Sequence, residues 1–210
     1  MRVFVTGGSG VLGRALLPLL AAAGHASDAP ASGVLDLFDA DAVREAVASA
    51  DGVIHLATRI PPRERMAEPA AWRENDRLRA EASRVLVDAA LAGRAAVYVQ
   101  PTVTFVYPED RPVDEETPVR AVASHLRSAL AAEAEAARFA AAGRRGVVVR
   151  LGLLGGPGAG SGFGTLDPGD AGAALLAALE APSGTYNAVR DGGRVSNRRL
   201  RETTDWRPRR

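Results

Sequence analysis

The sequence predicts an α/β protein built on a doubly wound parallel sheet, and three observations predict it. Short apolar runs alternate with stretches whose apolar residues recur at helical spacing. The runs lack polar alternation, which is typical of parallel strands buried on both faces. No internal repeat or Pro/Gly/Ser linker divides the 210 residues. We therefore expect one shortened domain over 1–210, with 152–210 as a small C-terminal portion.

Strands are predicted where β-branched and apolar residues cluster and then stop at Gly, Pro or polar residues. The first, Val3–Thr6, ends at glycines. The second, Val34–Leu37, follows a segment over Ala26–Gly33 whose Ala, Ser, Pro and Asp content indicates a loop. The remaining strands are expected at Gly52–Thr58, Ala95–Gln100, Gly146–Leu151 and Thr185–Val189.

Helices are predicted between these strands. Val11–Ala23 carries leucines at helical spacing and closes at Gly24, and Asp39 is expected to cap the helix Asp39–Ser49. Further helices are expected at Ala70–Ala92, Ala121–Ala142 and Asp170–Leu179, with loops at Arg59–Pro69, Thr102–Pro118 and Gly155–Gly164 and an exposed basic tail from Arg198.

Composition excludes several classes of function. The net charge is +1, so no global field draws the chain to nucleic acid or an acidic membrane. Cysteine is absent and only three histidines occur, which argues against disulfides, thiolate chemistry and metal clusters. No apolar run reaches the length of a membrane span and no signal sequence opens the chain, so a cytoplasmic location is the default expectation. All 26 basic residues are arginine, which excludes any mechanism that needs a lysine amine.

The segment TGGSGVLG, residues 6–13, joins the first strand to the first helix. In this context Gly7 permits a tight turn, Gly10 lets a pyrophosphate approach the backbone, and Gly13 lets the helix pack closely on the strand. The helix N-terminus supplies free N–H groups and partial positive charge for phosphates. We expect a site that binds a dinucleotide or descends from one that did. The alternative is a glycine-rich turn without a ligand.

In their order along the chain, the motifs resemble the short-chain dehydrogenase/reductase superfamily, and most closely its extended or atypical epimerase/dehydratase-like branch. VFVTGGSGVLGR at 3–14 resembles its opening, LDLFD at 35–39 its adenine-contacting motif, and VIHLA at 53–57 the strand end beside the cofactor. LGLLGGPG at 151–158 and GTYN at 184–187 resemble later elements. The resemblance implies a Rossmann-like fold and NAD or NADP as cofactor. It assigns cofactor binding to Gly7, Gly10, Val11, Leu12, Gly13, Asp36, Leu37, Leu56 and Ala57.

The chain departs from that family at the catalytic residues. Family members often carry Tyr-x-x-Ser-Lys-Leu-x-x-Glu, where this chain has HLRSALAAE at 125–133. His125 thus stands in the Tyr position and Ala129 in the Lys position. An imidazole can act as acid and base near neutral pH, and the alternative is a partly exposed helix histidine without a role. The resemblance and these substitutions give the candidate catalytic residues His125, Thr102, Thr104 and Tyr107.

The part of the cofactor site that holds adenosine is expected to be shortened. The family has a further strand whose end holds the ribose hydroxyls or a 2′-phosphate, and only His25–Gly33 occupies that place. Asp28 is a poor substitute in the predicted loop, while Arg14 could meet a 2′-phosphate or be a solvated helix residue. The choice between NAD and NADP, and whether binding is retained, weakened or lost, stays open.

Three functions follow from this pattern. The first is a small-molecule enzyme of secondary metabolism with acid–base chemistry such as isomerisation, dehydration or cyclisation. The second is an NAD(P)H-dependent reductase in which His125 replaces the tyrosine. The third is a non-catalytic nucleotide sensor or partner-binding protein. Binding to nucleic acid or a membrane is not expected, and the resemblance implies a homodimer through the predicted helices at 70–92 and 121–142.

Overall fold

A parallel sheet forms the centre of the molecule, as the sequence predicts. The computed structural model describes residues 1–119, 123–155 and 163–209. The strands are β1 (Arg2–Thr6), β2 (Ala26–Asp28), β3 (Gly52–His55), β4 (Val97–Val103), β5 (Arg145–Leu151), β6 (Leu153–Leu154), β7 (Thr165–Leu166) and β8 (Gly184–Ala188). Six strands pair in the order β2-β1-β3-β4-β5-β8, and β6 pairs with β7 outside this sheet.

Helices cover both faces of the sheet. Apolar side chains of α1 and α6 pack against one face, and those of α2, α4 and α5 against the other. The inner strands β1, β3, β4 and β5 are therefore buried on both faces, which explains their near-continuous apolar runs. The helices are α1 (Val11–Ala22), α2 (Ala40–Val47), α3 (Arg73–Arg77), α4 (Ser83–Ala92), α5 (Ser124–Ala141), α6 (Pro168–Ala178) and α7 (Arg198–Thr203), with 3₁₀ turns at Arg63–Arg65, Pro69–Trp72 and Thr104–Val106 and a π turn at Leu78–Ala82.

The order of the strands reverses between β1 and β3. From β1 the chain crosses to β2 on one side and then returns to β3 on the other. At such a reversal the carboxyl ends of neighbouring parallel strands leave a crevice open, and ligands of α/β proteins bind there. The crevice lies directly above the glycine turn that follows β1.

The predicted second strand is wrong in position. Val34–Leu37 forms turns rather than a strand, while Ala26–Asp28, predicted as loop, is the edge strand β2. An edge strand that is exposed on both faces needs only backbone hydrogen bonds to β1, so no apolar pattern marks it. Leu35 and Leu37 pack partly against the core from the turns, which accounts for the apolar residues that suggested a strand.

Two further predictions are corrected. Strand β4 continues past the predicted end at Gln100, through Pro101 and Thr102, which pair with β5. Strand β3 ends before it reaches Pro101, so no β3 residue lies opposite to accept the hydrogen bond that a proline cannot donate. The basic tail is not exposed throughout, because α7 buries Leu200, and Trp206 donates a hydrogen bond to the Asp170 carbonyl at 2.9 Å. Most of the predicted loop Gly155–Gly164 and the start of the predicted helix at Ala121 lie outside the described residues.

Candidate active site

The turn after β1 forms a close-fitting cradle of backbone. Gly7 has a φ of +69°, and a Cβ there would lie 2.7 Å from the Ala57 nitrogen at the end of β3. A Cβ at Gly13 would overlap the Gly8 carbonyl, so helix α1 can leave the strand at this angle only with glycine there. Gly10 caps α1 without a side-chain hydrogen bond, so the first N–H groups of α1 point towards the crevice without a side-chain partner.

Two cavities share this cradle. One, of about 460 Å³, extends from Gly7 and Gly10 towards the turns before α2 and is lined there by Asp36 and Leu37. Asp36 accepts a hydrogen bond from the Phe38 backbone at 2.9 Å, which shapes the turn. Asp39 caps α2 as predicted, accepting from Asp41 and Ala42 N–H groups.

The second cavity, of about 350 Å³, lies over the carboxyl ends of β3, β4 and β5 and is mostly apolar. Val11, Leu12, Leu56, Ala57 and Thr102 line it. Eight of the nine residues assigned to the cofactor thus line one or both cavities, and Gly13 lies behind the cradle. The described lining comprises Gly7, Gly10, Val11, Leu12, His55, Leu56, Ala57, Thr58, Ile60, Arg79, Gln100, Pro101, Thr102, Val103, Phe105, Leu151, Gly152, Leu153 and Leu154.

His55 is built into the wall of the second cavity as a neutral group. Its Nδ1 lies 2.7 Å from the Thr6 hydroxyl and its Nε2 lies 3.0 Å from the Leu78 carbonyl. Because that carbonyl can only accept, Nε2 carries the hydrogen and Nδ1 accepts from Thr6. Burial lowers the pKa of His55 to about 4. The imidazole is therefore uncharged near neutral pH and both of its nitrogens are occupied.

Of the other candidate residues, only Thr102 reaches the cavity. Its hydroxyl donates to Glu133 Oε1 at 2.8 Å, so its hydrogen is directed away from a ligand. Thr104 is buried and donates to the Phe163 carbonyl at 2.6 Å. Tyr107 is also buried, and its hydroxyl donates to Asn187 Oδ1 at 2.9 Å. Neither Thr104 nor Tyr107 is among the described lining residues.

A buried ion pair lies behind Thr102. Arg150 donates from Nε and Nη2 to the two carboxylate oxygens of Glu133, at 2.9 and 2.6 Å, and from Nη1 to the Tyr107 hydroxyl at 2.8 Å. Burial raises the pKa of Tyr107, so its phenol stays protonated near neutral pH. This network joins β4, α5 and β5 and fixes the floor of the cleft.

The structure places His125 on the first turn of α5, beside the cavity rather than in its described lining. Its ring stacks on Trp72 with centroids 4.1 Å apart and planes 19° apart. Burial, followed by the positive charge of Arg79, lowers the pKa of His125. The imidazole is therefore neutral near pH 7 and partly open to solvent.

Sequence reasoning missed several wall residues, of which Arg79 is the only charged one in the described lining. Arg79 lies in the π turn between α3 and α4 and is 7% exposed. The available signal was an arginine at helical spacing with the buried positions Ala82, Leu86 and Ala90. Phe105, which follows β4, was predicted only as part of a loop.

Two other kinds of feature, a membrane-spanning helix and a metal cluster, are not found in the part of the chain that the structure describes. In the described ranges no helix has the length and apolar content to cross a bilayer. The same ranges hold no cluster of three or more His, Asp or Glu suited to a metal ion.

The fold and cleft define a parallel α/β protein of the dinucleotide-binding type. The chain belongs to the NAD-dependent epimerase/dehydratase family, whose model matches residues 3–188. A curated relative, the 3-diazoavenalumate denitrifying reductase of a Streptomyces species, is 36% identical over 178 residues, which cover 76% of this chain. The match spans 58% of that relative's length.

Solved structures show the same fold. A short-chain dehydrogenase/reductase superfamily protein from Agrobacterium tumefaciens with bound NAD matches with a TM-score of 0.82 and 20% identity, covering 100% of this chain and 93% of its own. RMD from Pseudomonas aeruginosa in complex with NADPH matches with a TM-score of 0.78 and 23% identity, covering 99% and 93%.

Proposed function

We propose that the chain is an NAD(P)H-dependent reductase that delivers a hydride to an electrophilic small molecule without drawing a proton from a protein side chain. Membership of the family and the glycine cradle support the dinucleotide. Gly7, Gly10 and the free N-terminus of α1 would hold its phosphates, and Asp36 and Leu37 would lie beside its adenosine. When bound in reduced form, this cofactor supplies a hydride.

The composition of the apolar cavity carries the proposal. Of its described lining, only His55 and Arg79 are titratable. His55 has a pKa of about 4 and both nitrogens bonded, and an arginine keeps its proton. Neither group exchanges a proton near pH 7. The apolar side chains of Leu151, Leu153 and Phe105 add no titrating group to the wall, which favours hydride transfer over the acid–base reactions that need one.

The name of the Streptomyces relative indicates a reaction class that is compatible with a cavity whose described lining has no side chain that titrates near neutral pH. Reductive loss of nitrogen from a diazo group balances as R–N₂⁺ plus H⁻ giving R–H plus N₂. The carbon loses dinitrogen and gains a hydrogen, the two electrons come with the hydride, and no net proton is required. The replacement of the family's Tyr and Lys by His125 and Ala129 is compatible with this chemistry, because a reaction of this type needs no Tyr–Lys relay.

Asp28 supports the cofactor assignment in a way the sequence did not suggest. It ends strand β2, where it pairs with Phe4 of β1, rather than lying in a loop. The resemblance places a ribose-binding Asp at the end of the second strand, and we include Asp28 in the proposed adenosine site. Arg14 donates to the Ser9 carbonyl, which ties it to the glycine turn.

The test uses 3-diazoavenalumate with NADPH or NADH and the full chain. We expect oxidation of the reduced nicotinamide and release of dinitrogen in equal amounts. Gly10→Val, which fills the cradle, should abolish both, whereas Arg84→Met on the exposed side of α4 should leave both unchanged. Failure of the wild type to bind either reduced dinucleotide, followed by nicotinamide fluorescence, would contradict the proposal.

A second candidate is the acid–base chemistry expected from the sequence, with His125 as the proton carrier. The observation that favours it is a partly exposed imidazole held neutral next to the cleft. His125→Phe keeps the stacking on Trp72 and removes the titrating nitrogens. Unchanged nicotinamide oxidation in this variant supports the reductase, and loss of turnover with retained dinucleotide binding supports His125 as a proton carrier. We also propose that the chain forms a homodimer through α4 and α5 and that it acts in secondary metabolism.

A further inference from the structure

Arg79 is a buried cation in the wall of an apolar cavity. Only 7% of its surface is exposed, and it lines the cavity with Gln100, Thr102 and Phe105. A guanidinium in such surroundings is normally held by a carboxylate, because the loss of hydration is otherwise uncompensated.

The hydrogen bonding of Arg79 is incomplete. Nη1 donates to the His125 backbone carbonyl at 3.0 Å, whereas Nε is buried and has no hydrogen-bond partner in the described part of the chain. No carboxylate within the described ranges lies within salt-bridge distance of this guanidinium. Asp76 is near enough to act on Arg79 through its charge, but its carboxylate accepts from Ser128 at 2.7 Å.

Arg150 serves as a comparison, because it is a buried arginine of the same molecule whose guanidinium has a carboxylate partner. It is 6% exposed, as buried as Arg79, and it pairs bidentately with Glu133 and also donates to Tyr107. The pKa of Arg150 is raised by these partners, whereas burial lowers the pKa of Arg79. Within the described residues, one buried arginine therefore has a carboxylate in direct contact, whereas the other has only the more distant charge of Asp76.

The local backbone keeps Arg79 in this position. The π turn Leu78–Ala82 interrupts an otherwise continuous run of helix, and such turns occur often at functional sites. His55 donates to the Leu78 carbonyl at its first residue, which ties the turn to the end of β3. The neighbours Arg77 and Glu81 pair with each other on the exposed side, so Arg79 alone of the three points inward.

We propose that Arg79 binds a carboxylate of the substrate, whose apolar body lies in the same cavity beside Phe105 and Leu151. A planar guanidinium matches a carboxylate in shape and hydrogen bonding, and an apolar site strengthens the pairing. This inference rests on the proposed function, since it names the substrate class of the same cavity. The anion completes the charge pairing that the described residues leave open.

The substrate, rather than the dinucleotide, is the expected source of the anion. The phosphates have their own donors in the cradle, and Arg79 lines the apolar cavity but not the described wall of the cavity beside Asp36. A cavity of about 350 Å³ accommodates a small organic acid. The substrate class is therefore a small carboxylic acid whose apolar body carries the electrophilic group.

The test is isothermal titration calorimetry of the full chain with trans-cinnamate and with its neutral amide, each with and without NADP⁺. The wild type should bind the acid at least about tenfold more tightly than the amide. Arg79→Met should abolish that preference and leave NADP⁺ affinity unchanged. Arg84→Met, an exposed arginine of the following helix α4, should retain the preference.

A second variant separates binding from a structural role. Arg79→Gln keeps a donor for the His125 carbonyl and removes the charge, so it should also lose the preference for the acid. Retention of the preference in either Arg79 variant, or no preference in the wild type, would overturn the inference. Weakened NADP⁺ binding with an unchanged preference would overturn it too, because the guanidinium would then serve the cofactor. Absence of dinucleotide binding in the wild type would instead defeat the proposed function and leave the acid–amide comparison readable.

Discussion

Buried charged and titratable side chains determine the electrostatics of this cleft. Arg150 and Glu133 neutralise each other and hold β4, α5 and β5 together. His55 is held neutral by burial and by two hydrogen bonds. Arg79 is buried to a similar degree but has no carboxylate partner among the described residues. At the residue scale, the first two groups serve the fold, and we propose that the third serves a ligand.

The two buried arginines predict opposite effects on stability. Glu133→Gln leaves Arg150 without a counter-charge and should lower the free energy of unfolding by roughly 3 kcal/mol. Arg79→Met removes an uncompensated charge and should leave that free energy unchanged or raise it. Urea unfolding at neutral pH measures both. A loss in Arg79→Met as large as that in Glu133→Gln would mean that Arg79 is structural.

We expect the buried, neutral His55 to make the free energy of unfolding fall in acid. Its folded pKa of about 4 lies below the unfolded value near 6.5, so its contribution is fully present above pH 6.5. This contribution is lost as the pH falls from 6.5 towards 4, and it reaches about 3 kcal/mol. The measurement is the free energy of unfolding in urea from pH 7 to pH 4 for the wild type and His55→Gln. An equal acid slope in both proteins would contradict the assignment.

At the scale of elements, the sequence was informative where burial sets the pattern. The apolar runs located β1, β3, β5 and β8 closely, and the glycine turn located the start of α1. Strand β2 escaped because an exposed edge strand carries no apolar signal. The π turn escaped because no residue pattern marks a change from i+4 to i+5 bonding. Arg79 could be noticed on an apolar face, but its missing partner is visible only in three dimensions.

The glycines of the cradle differ in role, so we expect one substitution to weaken dinucleotide binding without lowering the stability of the fold. Gly10 lies at the open mouth of both cavities, and a Cβ there would meet only the Gly7 carbonyl, at 3.2 Å. Gly10→Ala should therefore unfold at nearly the wild-type temperature but bind NADPH at least about tenfold more weakly.

Gly13→Ala is the matched structural variant. Because its Cβ would overlap the Gly8 backbone, the melting temperature should fall by several degrees. Thermal unfolding and fluorescence titration compare the two variants. Equal dinucleotide affinity in Gly10→Ala and the wild type would show that the cradle does not hold the phosphates.

At the scale of the whole molecule, the cleft lies where the strand order reverses between β1 and β3, and it is closed on one side by β4 and β5. One wall offers backbone N–H groups at the start of α1, and the other offers apolar side chains and one arginine. This division fits a phosphate-bearing cofactor on one side and an apolar anion on the other. The described walls lack a group that titrates near neutrality.

The pH dependence of the proposed hydride transfer tests this account most directly. The measurement is kcat/KM for nicotinamide oxidation with 3-diazoavenalumate from about pH 6 to 8, for the wild type and His125→Phe. Because His55 titrates near pH 4 and Arg79 stays charged, we expect a flat profile that is the same in both proteins. A profile that bends within this range in the wild type and is flat in His125→Phe would contradict the account and identify His125 as the proton carrier.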